Sequence, residues 1–273
     1  MSLDEFEKAK ESMTPLQIRR IITEKAMENA MTEGEFIQTL EDAGVTYACI
    51  GTGRFASVEH TAELAKKYKN KLIPWCRISP HLGVAGVREL ETCVKELGIR
   101  GLEVSTFRER LYANDKKYYP LYTKCVELNI PARIYTTMNY ATDRAMDIGR
   151  PIYLDEVARD FPELTIIAGL GDWPWVPELV GLARRHQNIY IDLAAHRPKN
   201  IAKQGSGFEM LLEMLLQFGN THLQDRMLFA SSWMTLGLPL KQIIQEMENL
   251  PLKESVKPKW MYENAARILN IEH

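Results

Sequence analysis

Seven repeats of a helix followed by a short strand predict an α/β chain folded as a TIM-like (β/α) barrel. Two observations carry this. Helical segments such as VRELETCVKELG (residues 87–98) and YLDEVARDFPE (residues 153–163) place apolar residues at three- and four-residue steps. Each gives way to a β-rich run entered through Gly, Pro or Asn, such as IRGLEVS (residues 99–105) or NIYIDLAAH (residues 188–196). Alternating units with short connections make a parallel sheet, and this many of them favour closure into a barrel over an open sheet.

Taken in order, residues 3–31 are rich in Glu, Lys, Ala and Met, and Thr14-Pro15 offers an N-cap and first helical position, so residues 1–33 read as a helical segment ahead of a barrel domain over 34–273. GEFIQTLEDAGVTYACIG (residues 34–51) is a helix closed at Gly44 and then a strand. A helix over Val58–Lys67 leads into KLIPWCRISP (residues 71–80). The remaining pairs run YPLYTKCVELN into IPARIYTT (residues 130–137), the helix ending at Pro162 into LTIIAGLG (residues 164–171), VPELVGLARRHQ into NIYIDLAAH, and FEMLLEMLLQFG into RMLFASSW (residues 226–233). GTGR (residues 51–54) lacks the spacing of a phosphate-binding loop and reads as a strand-end turn.

Composition narrows the partners. Lys plus Arg number 34 against 36 Asp plus Glu, a net charge of −2, so no basic field for nucleic acid is expected. The amino terminus lacks an apolar run of signal-peptide type, and no 18-residue apolar stretch occurs, which argues against a membrane span. Cys49, Cys76, Cys93 and Cys125 show no metal or redox spacing and read as reduced, mostly buried thiols of a cytoplasmic protein.

The phrases ARDFPELTIIA (residues 158–168), DWPW (residues 172–175) and ENAARILNI (residues 263–271) resemble the amidohydrolase-2 family, the branch of metal-dependent amidohydrolases that includes the aminocarboxymuconate-semialdehyde decarboxylase group. The resemblance covers residues 34–271 and implies a barrel whose first strand bears a His-x-His metal pair. No His precedes His60, so the barrel is expected to be distorted or incomplete at strand one. The other positions that the resemblance assigns to metal ligands hold Tyr135, Gly169 and Ser232, which do not supply converging donors for a divalent ion. No tightly bound catalytic metal and no other cofactor is therefore expected.

Barrel chemistry sits at the carboxyl ends of the strands. His196, after Ala194-Ala195, is the candidate general base, or a solvated loop histidine. Tyr135 is either an oxyanion donor or a filler of space left by the metal. Ser232 suits hydrogen bonding better than covalent catalysis, because no nucleophile elbow surrounds it. Asp192 is a catalytic acid or a structural carboxylate paired with an Arg. Arg54, Arg77 and Arg133 are candidate clamps for an anionic substrate, one or more of them paired internally instead. His81, Asp172 and Trp173 complete the substrate-binding set, Glu103 also falls at a strand end, and Trp75, Trp173, Trp175 and Trp233 suit an apolar pocket.

Two functions follow. One is a metal-independent hydrolase or carbon–carbon lyase acting on a small anionic carbonyl compound: a β-keto acid, a β-ketoacyl thioester, a lactone or an aromatic acid. The other is a non-catalytic paralogue that binds a ligand or an active partner subunit. The resemblance also implies a homodimer.

Overall fold

Short β-branched runs that follow an amphipathic helix have one stable arrangement, side by side and parallel, with their helices packed on one face. The computed structural model describes residues 31–52, 57–139, 141–170, 173–201 and 210–271, and in them the chain adopts this arrangement. The strands are β1 (Ala48–Gly51), β2 (Leu72–Trp75), β3 (Leu102–Val104), β4 (Ala132–Tyr135), β5 (Ile166–Gly169), β6 (Ile189–Asp192) and β7 (Met227–Leu228). All seven expected strands are present. β1 pairs with β2, and β3 to β7 pair in sequence order, every ladder parallel. A parallel bridge between Cys76 and Leu102 joins the two groups, with Glu103 N donating to Cys76 O at 2.7 Å.

Local sequence explains the boundaries. The helix Glu33–Asp42 opens on a capping box, in which Thr32 Oγ1 accepts from Glu35 N and the Glu35 carboxylate accepts from Thr32 N at 2.6 Å. It stops at Gly44, whose φ of +70° reverses the chain into β1. The helix Tyr153–Asp160 ends just before Pro162, because the residue preceding a proline is pushed out of helical space. Thr14-Pro15 and the rest of the expected amino-terminal helices lie outside the described residues.

Residues alternate between the two faces of each strand. Ala132 and Ile134, Ile166 and Ala168, and Ile189 and Ile191 are buried in the main core against the surrounding helices. Their alternates therefore point inward. Ile73, Trp75, Ile167 and Leu228 form the inner core, and Leu269 of the carboxyl-terminal segment packs against them. Among the described residues no ladder joins β7 to β1, and the residues ahead of Met31, where a first strand would precede β1, lie outside them. Helices Glu33–Asp42, Val58–Lys67 and Leu240–Glu248 pack beside β1 through Ile37, Leu40, Ala65 and Leu240. Trp233 packs against that cluster.

Candidate active site

Strand alternation turns Arg77, Glu103, Arg133, Tyr135, Gly169 and Asp192 toward the inside of the barrel, at or near the carboxyl ends of β2 to β6. Four of them form a chain of alternating charge. Asp192 Oδ2 accepts from Arg133 Nε at 2.5 Å, Arg133 Nη1 lies 3.8 Å from Glu103 Oε1, and Arg77 Nη2 donates to Glu103 Oε2 at 3.1 Å. Arg133 can reach across β5 because Gly169 stands in its path without a side chain, a Cβ there being only 3.1 Å from the guanidinium carbon. Burial opposes the charge on Arg133, but the carboxylates of Asp192 and Glu103 more than offset it and hold the guanidinium ionised.

Asp192 is an organiser of the mouth. Its side chain is 4% exposed, and Oδ1 accepts from Leu170 N at 2.9 Å and Ala194 N at 3.0 Å. These bonds tie the turn after β5 to the turn after β6. The structure thus places Asp192 in the Arg-paired arrangement that the sequence left as one of two alternatives.

His196 joins the same framework from the other side. Its Nε2 lies 2.8 Å from Leu170 O, so Nε2 carries the proton and Nδ1 keeps the basic lone pair. Burial pushes the imidazole below its ordinary value, against smaller opposing effects of the Leu170 carbonyl and Asp192. Leu170, Ala195 and Ser232 all have positive φ (74°, 65° and 42°). Each follows one of three consecutive strands, and strained backbone costing on the order of 1–3 kcal/mol per residue is retained where surrounding structure holds it, commonly at functional sites.

The Tyr135 ring lies 5.1 Å from the Arg133 guanidinium and edge-on to Phe107 at 5.4 Å. Its hydroxyl makes no hydrogen bond among the described residues and is not sealed from solvent. Ser232 begins the short helix Trp233–Leu236 without using its hydroxyl as a cap. His81 stands apart: it is 45% exposed, and its Nε2 is 3.1 Å from Glu109 O, in an outer cluster with Lys117. Trp173 holds the loop after β5 through its carbonyl, which accepts from Met138 N and Thr137 Oγ1, each at 3.1 Å. Arg54 and Asp172 lie outside the described residues.

Two inward residues carried no role from the sequence. Glu103 was one strand-end polar residue among many, and its place between two guanidiniums depends on pairing across three strands. Cys49 was expected to be buried, and the structure corrects this: it shares the inward face of β1 with Gly51 and is exposed. Cys76, Cys93 and Cys125 are buried free thiols, as expected. Among the described residues no group of three His, Cys, Asp or Glu side chains converges as a metal site, and no helix is long and apolar enough to cross a membrane.

A parallel α/β barrel with a charge-paired polar mouth at its strand ends defines the class. The chain belongs to the amidohydrolase family, whose profile matches residues 20–271, reaching further toward the amino terminus than the phrases quoted above. Among solved structures it is similar to an uncharacterized TIM-barrel protein from Bordetella bronchiseptica, with 26% identity, a TM-score of 0.72, and 88% of this chain and 83% of that one covered. It is also similar in fold to 2,6-dihydroxybenzoate decarboxylase from Rhizobium, with 15% identity, a TM-score of 0.69 and coverage of 95% and 96%. A dihydroxybenzoic acid decarboxylase from Polaromonas, with bound manganese and 2-nitroresorcinol, gives 15% identity, a TM-score of 0.64 and coverage of 100% and 95%. No curated protein matches the sequence.

Proposed function

We propose that this amidohydrolase-family barrel is a metal-independent hydrolase or carbon–carbon lyase acting on a small anionic carbonyl compound. A β-keto acid, β-ketoacyl thioester, lactone or aromatic acid fits, and the aromatic acids of the fold neighbours agree with that range. The observation that carries the reading is Arg133: an ionised guanidinium held inside the barrel by Asp192, occupying the space a ligand side chain at Gly169 would need.

The same observation bears on the manganese seen in a neighbour. A fixed positive charge beside Gly169, with Tyr135 and Ser232 at the other positions that the resemblance assigns to ligands, is a poor setting for a divalent ion. The residues present do not fit one.

In this reading the substrate carboxylate or carbonyl oxygen docks against the outer nitrogens of Arg133, and the Tyr135 hydroxyl donates to the oxygen on which charge develops. For a β-keto acid, the bond to the carboxylate carbon breaks, carbon dioxide leaves, and its electron pair becomes an enolate stabilised by Tyr135. A proton from water then returns to carbon. For a lactone, Nδ1 of neutral His196 takes a proton from the attacking water.

The test is turnover of acetoacetate, 2,6-dihydroxybenzoate and simple lactones with and without chelator, alongside elemental analysis. Turnover of at least one, unchanged by chelator, is expected. Stoichiometric zinc, manganese or iron with chelator-sensitive activity would overturn the metal-independent reading, and ligand binding without any turnover would favour the non-catalytic paralogue. The homodimer belongs to this proposal as well, and sedimentation analysis tests it.

A further inference from the structure

We infer that Glu103 is a built-in competitor for the anionic substrate and sets how tightly a carboxylate binds, an inference that rests on the anion-handling role proposed above. Glu103 faces the barrel interior between two guanidiniums that it treats differently. Arg77 Nη2 donates a hydrogen bond to Oε2 at 3.1 Å, whereas Arg133 Nη1 stands 3.8 Å from Oε1, too far for one. The Arg77, Glu103 and Arg133 side chains are 14%, 15% and 17% exposed, enclosed yet open to solvent.

Arg133 has spent Nε on Asp192, and among the described residues Nη1 and Nη2 make no hydrogen bond. Neither is sealed from solvent. Two such nitrogens form the planar fork that a carboxylate fills with two parallel bonds. Glu103 supplies charge to that fork without filling it. A substrate carboxylate that filled it would lie beside the Glu103 carboxylate and be repelled.

Glu103 has little room to withdraw. A Cβ on Gly51 would meet Oε2 at 2.7 Å and both Cδ and Oε1 at 2.9 Å, so the β1 backbone stands directly against the carboxylate. The four charges of Arg77, Glu103, Arg133 and Asp192 cancel. Neutralising Glu103 leaves a net positive charge where the anion enters.

The experiment is calorimetric titration of the full chain and its Glu103→Gln and Glu103→Asp variants with benzoate and with its uncharged analogue benzamide, folding being checked by circular dichroism. Glu103→Gln should tighten benzoate about tenfold, a modest effect for a unit charge a few ångströms away, and leave benzamide within about twofold. Glu103→Asp, whose shorter side chain draws back from Arg133, should tighten benzoate by less. Benzoate binding equal to or weaker than wild type in a folded Glu103→Gln variant would overturn the inference. So would failure of both variants to fold, because Glu103 would then hold the barrel together and not tune affinity. No benzoate binding to any of the three chains would defeat the anion reading itself, and this inference with it.

Discussion

The guanidinium of Arg133 lies where a side chain on Gly169 would begin, 3.1 Å from the place of its Cβ. Tyr135 pairs with Gly169 across β4 and β5, so Arg133, two residues deeper on β4, reaches past β5 to Asp192 on β6. One missing side chain on the middle strand lets an ion pair span three strands.

Gly169→Ala should therefore destabilise the fold. The new methyl would meet the guanidinium at 3.1 Å and Ile134 O, a backbone atom with little freedom to move, at 3.3 Å. Overpacking of this kind costs about 1–3 kcal/mol, measurable as a lower urea midpoint. An unchanged midpoint would mean that Arg133 has another seat available.

Removing Arg133 should cost more. Arg133→Met keeps much of the volume but leaves the carboxylate of Asp192, itself 4% exposed, with only its two backbone donors. Breaking a buried pair from one side costs about 3–5 kcal/mol. Arg133→Met combined with Asp192→Asn should recover part of that loss in a double-mutant cycle, and strictly additive losses would count against the pairing.

Catalysis, once a substrate is in hand, should depend on two groups, His196 and Tyr135. His196→Ala should lower kcat by about 10²–10⁴, the usual worth of a positioned general base. Tyr135→Phe should lower it by about 10²–10³ with stability kept, since the hydroxyl has no hydrogen bond to lose among the described residues. Wild-type turnover in both variants would move the search to Arg77 and Asp192.

The pH dependence of stability follows from His196. Its folded-state pKa lies below its ordinary value, chiefly through burial, so the unfolded chain takes up this proton more readily than the folded one. Above the unfolded pKa of about 6.5 the residue carries no penalty. As pH falls through that value the penalty grows, until the folded state also protonates. The melting temperature should therefore drop between about pH 7 and 5, and drop less in His196→Gln; equal slopes in the two proteins would exclude His196 as a cause.

Much of the architecture was legible because it rests on local patterns. The strand IPARIYTT was visible as a β-rich run after Pro131, and its pairing with LTIIAGLG followed from order alone. The pairing between Arg133 and Asp192 was legible only as an alternative, since nothing in the sequence says how far an arginine reaches across a barrel. Cys49 shows the limit from the other direction: an apolar strand predicted burial, and only the inward face it shares with Gly51, beside a stretch that no described strand closes, exposes it.

By itself the sequence determined the helix–strand alternation, the seven strands and the presence of Tyr135, Gly169 and Ser232 at the ends of β4, β5 and β7. These are properties of periodicity, turn residues and residue identity, all of which act over a few positions. The tertiary structure alone decided that Glu103 stands between Arg77 and Arg133, that Asp192 ties the turns after β5 and β6, and that His196 bonds Leu170. Those relationships depend on strand register and on the space left by Gly51 and Gly169, and contacts between residues 22 to 59 positions apart are set only when the barrel packs.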